Sequence, residues 1–136
     1  MDKTVVRLVC VAIVATLALA GTSMDQTSRI VISSIVGLPS FVLMIISRRQ
    51  LGKSFSIMPQ AKALVTTGLY SRIQHPMYIF LDLFLVALIV ALNCPIVLFA
   101  WGIFVVTQTL QSQREERVLA ASFGDDYVAY RSRTWI

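Results

Sequence analysis

The sequence predicts an all-α, polytopic membrane protein: about four transmembrane helices, a C-terminal helical hairpin and a short cytosolic helical tail. Three observations predict it. The hydrophobic fraction is 57% and the charged fraction only 14%, against about 45–50% and about 25% in soluble proteins. A chain of 136 residues has room for one domain, here residues 1–136, and a soluble domain of that size cannot hide so much apolar surface. Positive charge is also segregated along the chain, as it is in membrane proteins.

The apolar stretches run roughly over residues 5–20, 30–47, 77–92 and 96–110. A bilayer core takes about 17–25 residues of helix, so the last two are slightly short and their polar ends belong near the headgroups. Asp2, Lys3 and Arg7 precede the first stretch, and Ala18-Leu19-Ala20 permits an alternative reading as a signal-peptide cleavage site. Gly37 and Pro39 in the second stretch predict a kink, which membrane helices tolerate. Pro76 and Pro95 suit the first turns of the third and fourth helices.

Residues 48–75 carry Arg48, Arg49, Lys53, Lys62 and Arg72 with no acid, and residues 112–136 carry Arg114, Arg117, Arg131 and Arg133. The opposite connections hold only Asp25 and Arg29 in one and no charge in Asn93-Cys94-Pro95. Positive-inside reasoning therefore places the middle loop and both termini in the cytosol. The formal charge of +5 fits topology and anionic headgroups, and no aromatic-studded basic ridge points to nucleic acid. Cys10 and Cys94 sit in or beside apolar runs and read as small hydrophobes.

The third and fourth stretches are joined by three residues, so they predict a tight hairpin. It brings "TTGLYSRIQHPMY", residues 66–78, beside "QREERVLAASFGDDYVAYRSR", residues 113–133. The only histidine, His75, and the only glutamates, Glu115 and Glu116, then meet at the cytosolic rim. Taken singly, His75 reads as an interfacial histidine, Tyr70 and Tyr78 as belt anchors, and the glutamates as a solvated pair. Their convergence is the informative feature.

Gly68-Leu69-Tyr70, His75-Pro76-Met77-Tyr78, Glu115-Glu116 and Phe123-Gly124-Asp125-Asp126-Tyr127-Val128-Ala129-Tyr130 resemble the isoprenylcysteine carboxyl methyltransferases and the related membrane phospholipid methyltransferases. The resemblance covers roughly residues 50–133, with Gly52-Lys53-Ser54-Phe55-Ser56 ahead of the first block, and no specific likeness reaches the first two stretches. It implies S-adenosyl-L-methionine as cofactor, bound by residues within 52–80 and 111–133. It maps contacts onto Lys62, Ala63, Leu64, Val65, Tyr70, His75, Pro76, Met77, Tyr78 and Glu115. Such residue types suit the cofactor. A glutamate attracts its ammonium and sulfonium, and a histidine or tyrosine donates to its carboxylate. No metal, covalent nucleophile or assigned catalytic residue is implied.

This sequence departs from the family pattern at Gln74 and Gln111, where arginines are expected, and at Phe80, where glycine is common. Arg72, Gln111 and Arg114 are the candidates for acceptor binding. The expected reaction is methyl transfer to a lipophilic or prenylated acceptor at the cytosolic membrane face. A carboxylate of the isoprenylcysteine type stands narrowly ahead of a phospholipid amine or a lipid hydroxyl. A non-catalytic membrane scaffold is the alternative of a different class. A four-span proton-coupled exporter is disfavoured, because such proteins place an acid inside the first span. Asp82, the acid deep in the third stretch, is expected to bond Gln108 across a hairpin closing at Pro95.

Overall fold

The computed structural model describes residues 3–52 and 64–134. Four helices follow in order: α1 (Lys3–Gly21), α2 (Gln26–Leu51), α3 (Pro76–Leu92) and α4 (Val97–Arg133), with a 3-10 turn at Gly68–Ser71 before α3. No strand occurs among the described residues. The all-α expectation holds, with boundaries that differ instructively. Among the described residues only α2 is long and apolar enough to cross a bilayer by itself, while Cys10–Gly21 and Pro76–Leu92 are shorter apolar helices. The fourth stretch does not stop at residue 110. Its helix runs on to Arg133, broken only at Gly124 (φ 48°, ψ −121°). The hydroxyls and amides from Thr107 onward end the apolar run without breaking the helix, because backbone hydrogen bonding does not depend on side-chain polarity.

Helix α2 starts at Asp25, whose carboxylate accepts from the Ser28 backbone amide at 3.0 Å and its hydroxyl at 2.6 Å. This N-cap satisfies one of the orphan amides of the first turn. The hydrogen bond to Ser28 holds the Asp25 carboxyl below its usual range. Pro39 lies inside this helix.

The α2 face toward α3 is built from small residues: Ser33, Gly37, Ser40 and Ser47 are buried at helical spacing. A Cβ added at Gly37 would come within 3.2 Å of the Ala87 side chain. One turn on, Phe41 packs on Phe84 with ring centroids 5.1 Å apart. Small residues let two helix backbones approach closely where lipid offers no hydrophobic drive of its own. Ser40 and Ser47 donate to the carbonyls of Val36 and Leu43, so their hydroxyls enter that face already satisfied.

The core gathers Ala18 from α1, Val86, Ile89 and Val90 from α3, and Trp101 and Val105 from α4. Around it the helices turn large apolar side chains outward, among them Leu17, Ile35, Leu38 and Phe99. Continuous apolar exposure of this extent marks a surface that is covered in its native setting.

Asn93, in the left-handed conformation (φ 51°), caps α3 and starts the turn into α4. The Val97 and Leu98 amides bond the carbonyls of Cys94 and Pro95, so Pro95 lies in a leading turn just before the helix. The predicted pairing of Asp82 with Gln108 does not form. Asp82 Oδ1 accepts from the Trp101 indole N–H at 3.2 Å, and Gln108 Nε2 is buried without a hydrogen-bond partner among the described residues. Residue counting from the turn assumed two level, parallel helices and short side chains. The long indole instead reaches Asp82 from a position nearer the turn.

Candidate functional site

Three elements build the rim site: the 3-10 turn, the first turn of α3 and the second half of α4. Gly68 opens the turn with φ 63°, and a Cβ there would lie 2.5 Å from the Gln50 side chain. The positive φ calls for glycine here, while the nearby Gln50 atoms are the far end of a flexible side chain that can shift. The same Gln50 accepts from the Leu69 amide at 2.9 Å, tying the turn to the end of α2. Pro76 is fully buried at the first position of α3, where its missing N–H costs nothing, and His75 is the N-cap residue.

His75 faces both glutamates. Its Nδ1 lies 3.8 Å from Glu115 Oε2 and its Nε2 3.5 Å from Glu116 Oε1. The Nε2 approach lacks hydrogen-bond geometry, so that buried nitrogen has no hydrogen-bond partner among the described residues. Tyr78, stacked on His75 at 5.7 Å, donates its hydroxyl to Glu115 Oε1 at 3.0 Å. Gln111 Nε2 donates to the same oxygen at 3.4 Å. Glu116 is held from its other side by Arg131 at 3.4 Å. The hairpin thus delivers the predicted meeting of His75 and Glu115, with Glu116 as a second acidic neighbour.

The tail closes over this cluster through tyrosines. Gly124 takes a backbone conformation that L side chains rarely adopt, which re-aims the last helical segment. Tyr127 and Tyr130 are then buried, with ring centroids 6.3 Å apart. Tyr130 donates to the Tyr70 backbone carbonyl at 2.8 Å, and Gln74 donates to the Tyr127 hydroxyl at 3.3 Å. Burial, with Tyr127 beside it, pushes the Tyr130 phenol up to about 12. Burial likewise raises Tyr70, helped by Tyr130 and Glu115. Neutral phenols there act as hydrogen-bond donors rather than as charges.

The remaining expected residues are distributed unevenly. Tyr70 is buried, Met77 half-buried, and Leu64 and Val65 are half-buried in the chain leading to the turn. Lys62 and Ala63 lie outside the described residues, as does most of the block beginning at Gly52. Arg72 and Arg114 are exposed. The sequence reading missed the tail-holding roles of Gln74, Tyr127 and Arg131. A buried glutamine opposite a buried tyrosine leaves no periodic signal in the sequence.

These residues suit S-adenosylmethionine: two carboxylates for a cationic ligand, beside a buried imidazole nitrogen that lacks a hydrogen-bond partner. A family model, phospholipid methyltransferase, matches residues 27–126. The match therefore begins in α2, ahead of the motif blocks that carried the sequence resemblance. Searches of curated proteins and of solved structures gave no significant match. The chain belongs to the phospholipid methyltransferase family, whose members are membrane-associated methyltransferases that generally use S-adenosylmethionine.

Proposed function

We propose that the protein transfers a methyl group from S-adenosylmethionine to the amine of a membrane lipid at the cytosolic face. The observation that carries this reading is the convergence of His75, Tyr78, Glu115 and Glu116 where α3 meets α4. S-Adenosylmethionine supplies a methyl carbon already activated by its sulfonium, so alignment and exclusion of water carry much of the rate enhancement. Glu115 and Glu116 attract cationic groups of the cofactor. The His75 Nε2 edge donates a hydrogen bond to its carboxylate when that nitrogen carries the proton. Tyr78 and Gln111 fix the Glu115 carboxylate, and the Tyr127–Tyr130 segment shields the site from water.

The choice of acceptor turns on charge. A carboxylate acceptor calls for a fixed cation, and the two positions where relatives carry arginine hold Gln74 and Gln111. Both amides are engaged, Gln74 with Tyr127 and Gln111 with Glu115. Arg131 is directed at Glu116. An amine headgroup docks as the ammonium and attacks the methyl carbon only after giving up one proton to a carboxylate or water. It fits this acid-rich rim better than an anion does, and the family match supports a phospholipid.

Four membrane crossings with both termini cytosolic complete the reading. Outward-facing apolar side chains on the helices and the segregation of Arg and Lys support it. The test is S-adenosylmethionine binding to the detergent-solubilised protein, then transfer of labelled methyl with phosphatidylethanolamine and a farnesylcysteine analogue offered side by side. Base-stable label in the phospholipid is expected. A base-labile ester releasing methanol would transfer the assignment to a carboxylate, and absence of cofactor binding would leave the scaffold.

A further inference from the structure

At the end of the molecule opposite His75, α2 buries polar atoms that no described residue answers. Arg29 Nε and Nη1 and the Ser33 hydroxyl are all buried without a hydrogen-bond partner among the described residues. Arg29, Ser33 and Gly37 follow one another at four-residue spacing, which places them along one face of α2. Gly37 on that face meets Ala87 of α3, and Phe41 meets Phe84. Continuing this antiparallel register toward the start of α2 sets Arg29 level with the Asn93-Cys94-Pro95 turn.

The obvious internal partners are taken. Asp25, one turn before Arg29, has turned its carboxylate onto Ser28 as the helix cap. The last carbonyls of α3 at that level, Ile89 and Val90, accept from the Cys94 and Asn93 amides. On α1, the carbonyls of Leu19, Ala20 and Gly21 accept from the amides of Thr22, Ser23 and Met24. Arg29 is half-buried, with two of its three guanidinium nitrogens withdrawn from water and without an acceptor among the described residues. That is costly, and the forked donors match a phosphate or carboxylate oxygen pair. Ser33, only 7% exposed, adds a hydroxyl donor one turn deeper. The positive end of the α2 dipole lies within the same turn and favours an anion.

We infer that Arg29 and Ser33 form a seat for a phosphate oxyanion, filled by the phosphodiester of a phospholipid in the leaflet opposite the methyl-transfer site. The inference rests on the chain spanning a bilayer and does not depend on the identity of the methyl acceptor. Such a lipid would be a resident one, bridging the start of α2 and the α3–α4 turn.

The test uses the full chain, purified in detergent and stripped of lipid. Dioleoyl phosphatidylglycerol, dioleoylglycerol with the same chains, and inorganic phosphate are each titrated, with thermal unfolding and native mass spectrometry as readouts. Phosphatidylglycerol is expected to raise the unfolding midpoint and remain bound, and dioleoylglycerol to do neither. Arg29→Gln should weaken phosphatidylglycerol retention about ten- to a hundredfold, the loss of one charged contact. Ser33→Ala should weaken it less, and Arg29→Lys should keep part of it. All three variants should bind S-adenosylmethionine as the parent does, which separates this seat from the rim site. Should inorganic phosphate reproduce the full Arg29-dependent shift, the seat stands but its occupant is a soluble anion. Equal retention by the parent and Arg29→Gln, or equal stabilisation by dioleoylglycerol, would overturn the inference.

Discussion

Tyr130 donates its phenol to the backbone carbonyl of Tyr70, 2.8 Å across sixty residues of sequence. This bond fastens the last helical segment to the turn that precedes α3, and so sets how the tail covers the rim. Tyr130→Phe leaves a buried carbonyl without its donor, a loss of about 1–3 kcal/mol in tail docking. Faster proteolysis after Arg131 and Arg133 at unchanged helix content is the expected result. Burial of the same phenol, with Tyr127 beside it, carries a pH signature. The phenol is raised in the folded state to about 12 from 10.0, so its contribution is complete below about pH 10 and is lost as the pH rises toward 12. Tail protection should fall across that window in the parent, and less in Tyr130→Phe.

Gly124 directs the same segment from its other end. Its φ of 48° with ψ of −121° is strained for any side chain, although a Cβ would meet no atom within 4 Å. Gly124→Ala should therefore cost about 1–3 kcal/mol from backbone strain rather than from a clash. The expected phenotype matches Tyr130→Phe, undocking of the tail, and a double variant should lose little more than either one. Fully additive losses would show that the two residues act on different events.

The hairpin and the His75–Glu115 meeting were legible because they follow from charge, two prolines and a three-residue connection. Each of those is a local property of the chain. The Asp82 partner was not legible, because choosing among Trp101, Gln108 and others depends on side-chain reach and helix inclination. Gln74 and Gln111 were read as missing arginines. Their amides instead hold Tyr127 and Glu115. The Gln74–Tyr127 pairing, 53 residues apart in sequence, leaves no trace in periodicity, whereas Gln111 sits one helical turn before Glu115. The small-residue stripe of α2 was not read from the sequence, where Gly37 was taken with Pro39 as the mark of a kink; its meaning needed Ala87 and Phe84 opposite it.

His75→Ala and Glu115→Ala should each weaken S-adenosylmethionine binding about ten- to a hundredfold, the usual cost of one charged contact. Calorimetry on the solubilised protein checks both. Glu116→Ala should weaken binding less, since Glu116 also serves Arg131 in a partly exposed pair, and such pairs are worth little alone. Unchanged affinity in both of the first two variants would remove the assigned roles.

Topology can be read with single cysteines in a background lacking Cys10 and Cys94. Ser71 and Ser132 are exposed and suit the cytosolic face, whereas Ser112, only 1% exposed and bonded to Thr109, would report burial instead. Ser23 and Asn93 are exposed at the other end. Ser71→Cys and Ser132→Cys should need a membrane-permeant reagent, and Ser23→Cys and Asn93→Cys should not. Labelling of Ser71→Cys from outside would reverse the orientation and move the rim site to the wrong side for a cytosolic cofactor.

Asp82 and Trp101 make the last case, because an acid inside an apolar helix is a functional candidate by default. Among the described residues its hydrogen bond is to the indole, and this bond joins α3 to α4 beside the core residues Val86 and Val105. A pin of this kind needs an acceptor oxygen, not a charge. Asp82→Asn keeps the oxygen, so stability, cofactor affinity and turnover should all stay near those of the parent. Trp101→Phe removes the donor and strands the carboxylate, so it should cost about 1–3 kcal/mol in unfolding. Adding Asp82→Asn to Trp101→Phe should recover part of that loss, since an amide is cheaper to leave unpaired than a carboxylate. Turnover lost in Asp82→Asn at intact stability and intact cofactor affinity would show that the charge itself takes part in the chemistry.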